Sequence, residues 1–265
     1  MAKYVIVGAS AAGIGAVEAI RKVDPAGAIV VITEEACADY SRPMISDLVS
    51  GKADVQKMKC KADSFWKDNN AEVRIGKKAV SLNLTDKTVN IEDGEKVVYE
   101  KLLLATGGKP FVPKMEGQDK DGVFTFTNIA DAQRLAAKID SVHAKSAVVI
   151  GAGLIGISVT EALVKRGLKV TVVELQEKIL SLLLDAKASD IVEAVIRKAG
   201  VNFATGQSVQ KIIGKPDNDG AVGGVNANIT PRIIPVFVCV RLCVLCDEPF
   251  PTCLRKSIVQ SSAPA

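Results

Sequence analysis

Residues 147–174, AVVIGAGLIGISVTEALVKRGLKVTVVE, constrain this chain more than any other stretch. An apolar run, 147–150, meets Gly151-Ala-Gly153-Leu-Ile-Gly156; an amphipathic segment then continues to about Arg166, and a second apolar run, 169–173, ends on Glu174. The pattern predicts strand, glycine turn, helix and strand, the βαβ unit that binds dinucleotides. Each residue type has a reason to be there. Gly151 makes the tight turn, Gly153 has no Cβ to hold pyrophosphate away from the backbone, and Gly156 lets helix and strand approach. The unpaired N–H groups at the helix start, those of Leu154 and Ile155 among them, carry the partial positive charge that holds an anion. Glu174 follows the last glycine at close to the roughly 20-residue distance at which an acid accepts hydrogen bonds from an adenosine ribose. A 2′-phosphate beside it would be repelled, so NADH is expected in preference to NADPH.

Residues 1–34 repeat the unit. A strand over 3–7 leads into Gly8-Ala-Ser10-Ala11-Ala-Gly13, a helix follows over 14–22, and a strand over 28–33 ends at Glu34 and Glu35. Ser10 stands where the middle glycine would be and is small enough to be tolerated, with a tighter backbone approach. Glu34 sits at the distance expected of a second ribose acid. Two units imply two dinucleotides.

The remaining composition fits an α/β chain of two domains. At 265 residues there is length for two cores, and 48% hydrophobic content with only 4% aromatics suits aliphatic parallel strands flanked by helices. The net charge of +4 comes from 34 basic and 30 acidic residues spread along the chain. Its densest basic stretch, 52–67, is interrupted by Asp54 and Asp63, so a solvated face is expected and not a nucleic-acid groove. Residues 4–12 read better as a strand entering a glycine loop than as a signal-peptide core, and no window holds 18 uninterrupted apolar residues. No membrane span and a cytoplasmic location are the expectations.

With both units in view, the sequence resembles the FAD-dependent pyridine nucleotide-disulfide oxidoreductases from about residue 3 to 225. That resemblance implies FAD at the first unit and NADH at the second, with the NAD domain inserted into the FAD domain. It divides the chain into the first half of an FAD-binding domain (1–115), a connector (116–144), an NAD(P)H-binding domain (145–225) and an atypical tail (226–265). Tyr40-Ser-Arg42-Pro43-Met-Ile-Ser46 is similar to the flavin-side loop of the rubredoxin reductase, ferredoxin reductase and NADH-nitrite reductase branches. Lys101-Leu-Leu-Leu-Ala105-Thr106-Gly107-Gly108 resembles the segment that closes under the FAD. Between them, 72–99 alternates apolar and polar residues around Asp93-Gly94, as in a β-meander with a hairpin turn. Residues 124–132 resemble the connector into the NAD domain, and 179–200 and 201–206 fit its next helix and strand. By resemblance, Gly8, Ser10, Ala11, Gly13, Glu34, Arg42, Pro43, Ser46, Ala105, Thr106 and Gly107 hold FAD, with Val80 offering backbone contacts to the adenine. Gly151, Gly153, Leu154, Ile155, Gly156 and Glu174 hold NADH.

Several positions depart from the family pattern. Thiol-using branches have cysteine where this chain has Pro43, and neither Cys37 nor Cys60 occupies that place, so no redox-active thiol is expected. Asp47 stands where ferredoxin reductases commonly have lysine. Ser158 stands where many relatives carry a glutamate near the nicotinamide. His143, the sole histidine, has no acidic or cysteine partner placed with it and reads as a surface linker residue. No side chain qualifies as a catalytic acid, base or nucleophile.

After about Val225 the character of the chain changes. Residues 226–265 hold four of the six cysteines and half of the ten prolines but no glycine, and no Gly-Asp dipeptide of the kind that binds flavin ribityl and phosphate groups occurs anywhere. The expectation is a fold incomplete at its C-terminus, with native-like character ending near Val225. Cys239, Cys243 and Cys246 have a C-x₃-C-x₂-C spacing that could hold an iron–sulfur cluster, with Cys253 beyond. Nothing else in the chain accompanies it, and no metal is expected. The functional expectation is an FAD-dependent NAD(P)H oxidoreductase that passes electrons to a small-molecule or redox-protein acceptor. The alternatives are a truncated nucleotide-binding fragment without turnover, and a site completed by a separate chain.

Overall fold

The computed structural model describes residues 2–110, 112–215, 218–226 and 236–239. Its N-terminal sheet begins with β1 (Ala2–Val7), which runs into α1 (Ala11–Val23) and returns as β2 (Ile29–Thr33). A 3-10 turn, Arg42–Met44, opens α2 (Ile45–Ser50), and the short α3 (Phe65–Asp68) precedes β3 (Ala71–Ile75). Then β4 (Ala79–Asn83), β5 (Thr88–Ile91) and β6 (Lys96–Leu104) form the meander. The expected hairpin turn is present, with Gly94 at φ 90° between β5 and β6. Sheet order is β3-β2-β1-β6-β5-β4. The long β6 serves twice: its start pairs antiparallel with β5, while Tyr99 to Leu104 run parallel to β1.

The aliphatic content of β1 and β2 explains their central place, because a parallel strand covered on both faces needs apolar residues at successive positions. Val5, Val7, Val30 and Ile32 face the meander residues Val89, Ile91, Val97 and Tyr99, whereas Ile6, Ile29 and Val31 face Ile14 and Val17 of α1. Arg21 at the end of α1 donates to the carbonyls of Asn69 and Asn70, tying the helix to the entry of β3.

The second sheet is built from β7 (Val123–Thr125), β8 (Ser146–Ile150), β9 (Lys169–Val173) and β10 (Asn202–Ala204), with α4 (Ile129–Ser141), α5 (Leu154–Lys165) and α6 (Ala186–Lys198) around it. The hairpin β11 (Lys211–Lys215) and β12 (Asn218–Asn226) follows, and β13 (Val236–Cys239) returns to the sheet. All pairs in this sheet are parallel, in the order β10-β9-β8-β13-β7. The sheet is therefore wider than residues 145–225: β7 lies in the expected connector, and β13 lies in the expected tail. Without β13, β7 would have no strand to pair with. Backbone pairing of Val236–Cys239 thus carries native-like structure past Val225, a correction to the sequence expectation. The cysteines at 243, 246 and 253 lie outside the described residues.

The two halves share a core. Tyr40, Ile45, Val49 and Met58 from the N-terminal half cluster with Phe126, Leu135, Val149, Val159, Leu163 and Val172 of the second, and α2 packs on both α4 and α5. No helix among the described residues is long and apolar enough to cross a membrane. In the basic stretch, Lys52, Lys57, Lys59 and Lys61 are all paired with carboxylates.

Candidate dinucleotide-binding sites

The two glycine turns have nearly the same geometry. Gly8 has φ 117° and Gly151 has φ 103°, a region that disfavours any side chain. Gly8 donates its N–H to the Ile32 carbonyl and Gly151 donates its own to the Val173 carbonyl, each at 2.8 Å, so each turn is pinned to the strand that follows its helix. A Cβ on Gly13 would lie 2.0 Å from the Gly8 oxygen, and one on Gly156 would lie 2.0 Å from the Gly151 oxygen. The third glycine of each turn is thus required by the backbone itself.

The middle positions differ from the outer ones. A Cβ on Gly153 would meet no protein atom within 4 Å, so the absence of a side chain there leaves open room at the start of α5. That is the room a pyrophosphate needs against helix N–H groups. Ser10, its counterpart, caps α1 with an extended backbone, and its hydroxyl forms no capping bond, which leaves it available to a ligand. Both positions fit the cofactors expected of them.

Glu174 leaves the tip of β9 and turns toward the glycine loop. Its Oε2 accepts from Ala152 N–H at 2.6 Å and its Oε1 from Gln176 N–H at 2.9 Å. The carboxylate therefore joins Gly151, Gly153, Leu154, Ile155 and Gly156 in one local arrangement, with lone pairs left for a ribose diol.

In the N-terminal half, Ala105 lies against the first turn. Its N–H donates to the Val7 carbonyl at 2.8 Å, and its oxygen would be 2.1 Å from a Cβ on Gly8. Thr106 and Gly107 follow as an exposed loop, with Gly107 at φ 69°. The end of β2 borders a cleft of about 610 Å³, lined among others by Glu34, Glu35, Cys37, Gly76, Asn128 and Gln133. Glu34 is exposed at this cleft. Val80 is half-exposed on β4, and the cleft is lined by Gly76 and Lys78 in its place.

Arg42 makes an ion pair with Glu35 and donates to the Thr127 carbonyl at 2.8 Å. The Tyr40 hydroxyl donates to the same Glu35 and accepts from Ile129 N–H at 3.4 Å. Burial, followed by the bond to Glu35, pushes the Tyr40 phenol well above its ordinary range. Glu35, whose only signal in the sequence was the pair of acids at the end of β2, ties both Tyr40 and Arg42 to that strand end, and these two side chains reach the start of α4. Pro43 opens the 3-10 turn and Ser46 donates to its carbonyl at 3.3 Å. Asp47 pairs with Lys52.

The remaining candidates are separate. Burial pushes the Cys37 thiol up, away from the reactive thiolate. Cys60 is exposed. His143 occupies the exposed turn after α4 at φ 47°. Ser158 is half-buried on α5. Among the described residues no cluster of three histidine, cysteine or acidic side chains could hold a metal ion.

Two glycine turns of this geometry, each followed by a terminal acid, define a protein of the two-dinucleotide α/β class. The sequence pattern of the pyridine nucleotide-disulphide oxidoreductases matches residues 2–238, and this chain belongs to that family. It is 38% identical over 210 residues to the epsilon subunit of NADH-dependent phenylglyoxylate dehydrogenase of Aromatoleum evansii, covering 79% of this chain and 49% of that one. It is 32% identical over 212 residues to the rubredoxin-NAD(+) reductase of Pseudomonas putida, covering 80% and 54%. Among solved structures, an NAD-dependent persulfide reductase from A. fulgidus superposes with a TM-score of 0.84 at 28% identity, over 96% of this chain and 47% of the other. A water-forming NADH oxidase from Lactobacillus brevis, bound to NADH, gives 0.80 at 26%, over 91% and 54%. The chain spans about half the length of these relatives.

Proposed function

We propose that the chain is the FAD- and NADH-binding part of an NADH-dependent flavoprotein oxidoreductase. The observation that carries this reading is the repeated turn geometry, with open room at Gly153 and an uncapped Ser10 hydroxyl where two pyrophosphates would lie. The family's members bind FAD and NADH, and its enzymes are oxidoreductases. On this reading Gly8, Ser10, Ala11 and Gly13 cradle the FAD pyrophosphate. Glu34 takes the adenosine ribose, with the backbone near Val80 beside the adenine. Arg42, Pro43, Ser46, Ala105, Thr106 and Gly107 border the rest. Gly151, Gly153, Leu154, Ile155 and Gly156 hold NADH, with Glu174 on its ribose. Repulsion by Glu174 disfavours the 2′-phosphate of NADPH.

When bound, the flavin would supply the redox chemistry that links NADH to an acceptor. The protein's own residues bind and orient. The acceptor would be a small molecule or a redox protein; the relatives include reductases of rubredoxin and oxidases of NADH. A visible absorption spectrum of the purified chain, recorded before and after anaerobic NADH, tests the reading. A flavin spectrum that bleaches is expected; a chain that neither retains nor rebinds FAD would sink it.

A second reading, nucleotide binding without turnover, draws on one observation. Leu103 and Leu104 at the end of β6 are 41% and 36% exposed, although they pair with the buried β1 beside the FAD segment. This reading expects NADH to bind without bleaching any flavin.

A further inference from the structure

The second glycine turn is held from beneath by a segment that no sequence motif marks. Leu180 donates its N–H to the Ala152 carbonyl at 2.9 Å, while the Ala152 N–H is taken by Glu174. Both polar groups of the residue between Gly151 and Gly153 are thereby occupied, and Ala152 is itself buried. Leu180 reaches this bond with φ 51°, in the left-handed region that leucine disfavours. Its side chain does not explain the conformation: it is half-exposed and belongs to none of the apolar clusters among the described residues.

The surrounding backbone does explain it. The carbonyl of Ile179 accepts the Ser189 hydroxyl at 2.8 Å, and both residues are fully buried. The carbonyl of Leu180 accepts N–H groups of Leu183 and Leu184 at 2.8 and 3.0 Å. With the carbonyls on either side of its Cα fixed, Leu180 has only one direction in which to aim its amide. A strained backbone that persists because its surroundings determine it is a sign of a positional task.

We propose that Leu180, locked in its left-handed conformation by Ser189, is a positioning residue for the NADH pyrophosphate loop. It acts through Ala152, fixing the peptide planes that set Gly153 and the N–H groups of Leu154 and Ile155. The inference rests on the NADH site proposed above and concerns how that site is kept in shape before the ligand arrives.

The test uses the full 265-residue chain and reads NADH affinity by nicotinamide fluorescence, with amide hydrogen exchange of the 151–156 loop measured without ligand. Valine at 180 keeps an apolar side chain but resists positive φ, whereas glycine, with no side chain, and asparagine, with a polar one, both accept it. Leu180→Val is expected to weaken NADH about tenfold and speed loop exchange, with Leu180→Gly and Leu180→Asn within about twofold of wild type. Ser189→Ala is expected to weaken NADH about fivefold alone and less than twofold in the Leu180→Gly background. If Leu180→Val fails to fold, the Ser189→Ala pair decides the matter. Wild-type chain that binds no NADH overturns the site reading and this inference with it. Wild-type binding with valine as good as glycine, or an unchanged Ser189→Ala effect in both backgrounds, overturns the inference alone.

Discussion

Two acidic side chains show how differently a carboxylate can be used within this fold. Glu174 accepts from the Ala152 N–H of the glycine loop and from the Gln176 N–H beyond β9, so on the proposed reading removing it costs both a ribose partner and a loop tie. Glu174→Ala is expected to weaken NADH by about 1.5–3 kcal/mol, at least tenfold, and to narrow the preference over NADPH; titrations with both nucleotides check it. Asp39 is the opposite case. It is buried, at φ 58°, with Oδ2 accepting from Trp66 and Oδ1 unpartnered, and burial raises its pKa. A carboxyl raised in the folded state stabilises the fold below its unfolded pKa, and that contribution is lost as pH rises through the folded value. Asp39→Asn keeps an acceptor for Trp66 and tolerates the left-handed backbone, so it is expected to stabilise by about 1 kcal/mol at neutral pH. The gain should vanish toward pH 4, as thermal unfolding at the two pH values would show. The place of Glu174 beside the glycine loop was legible because it follows from spacing along one βαβ unit. Asp39 and Leu180 were not legible, because burial and a backbone angle give each its role, and the pair of acids that marked Glu35 did not disclose its partners, Arg42 and Tyr40.

Within a βαβ unit, the three glycines have separable tasks, and their contacts predict separable failures. Alanine at position 156 would drive a methyl group to 2.0 Å from the Gly151 oxygen, which no rotamer can relieve. Gly156→Ala is therefore expected to destabilise by several kcal/mol, about the range of severe overpacking, and to lower thermal stability with or without NADH. Gly153→Ala meets no protein atom within 4 Å, and its φ of −76° is ordinary for alanine. Its unfolding midpoint should move little while NADH affinity falls at least tenfold, since the methyl group enters the space proposed for the pyrophosphate. Equal effects on stability and binding in the two variants would contradict this division. Both units were readable because each is continuous in sequence and each glycine leaves a gap in an apolar pattern. The hairpin at Asp93-Gly94 was readable for the same reason. The double use of β6 was not, since one strand pairing with β5 at its start and β1 at its end depends on how the sheet closes.

Across the molecule, the two halves are joined through a helix of only six residues. Ile45 and Val49 of α2 lie 5% and 0% exposed among Leu135, Val159 and Leu163, and Arg166 at the end of α5 donates to the Val49 carbonyl. The loop that opens α2 is thus anchored through that helix on α4 and α5, and the Arg42–Glu35–Tyr40 group adds polar ties from the same loop to the start of α4. The sequence indicated two units and a connector but not this join, because a short apolar helix gives no sign of which surface will cover it. Nor did the tail's composition disclose that Val236–Cys239 would fit between β8 and β7, since four residues suffice for a strand whose neighbours supply the register. The join has a measurable consequence. Ile45→Ala leaves a cavity where both halves meet and is expected to cost about 2–4 kcal/mol. Loss of helical signal and loss of NADH binding on heating should shift down together, although the substitution lies in the flavin half. Val195→Ala, at a position 62% exposed on α6, serves as the control and should stay within about 0.5 kcal/mol of wild type. If Ile45→Ala lowers the helical transition but leaves NADH binding at its original temperature, the halves unfold independently and α2 is only a passive neighbour of the NAD domain.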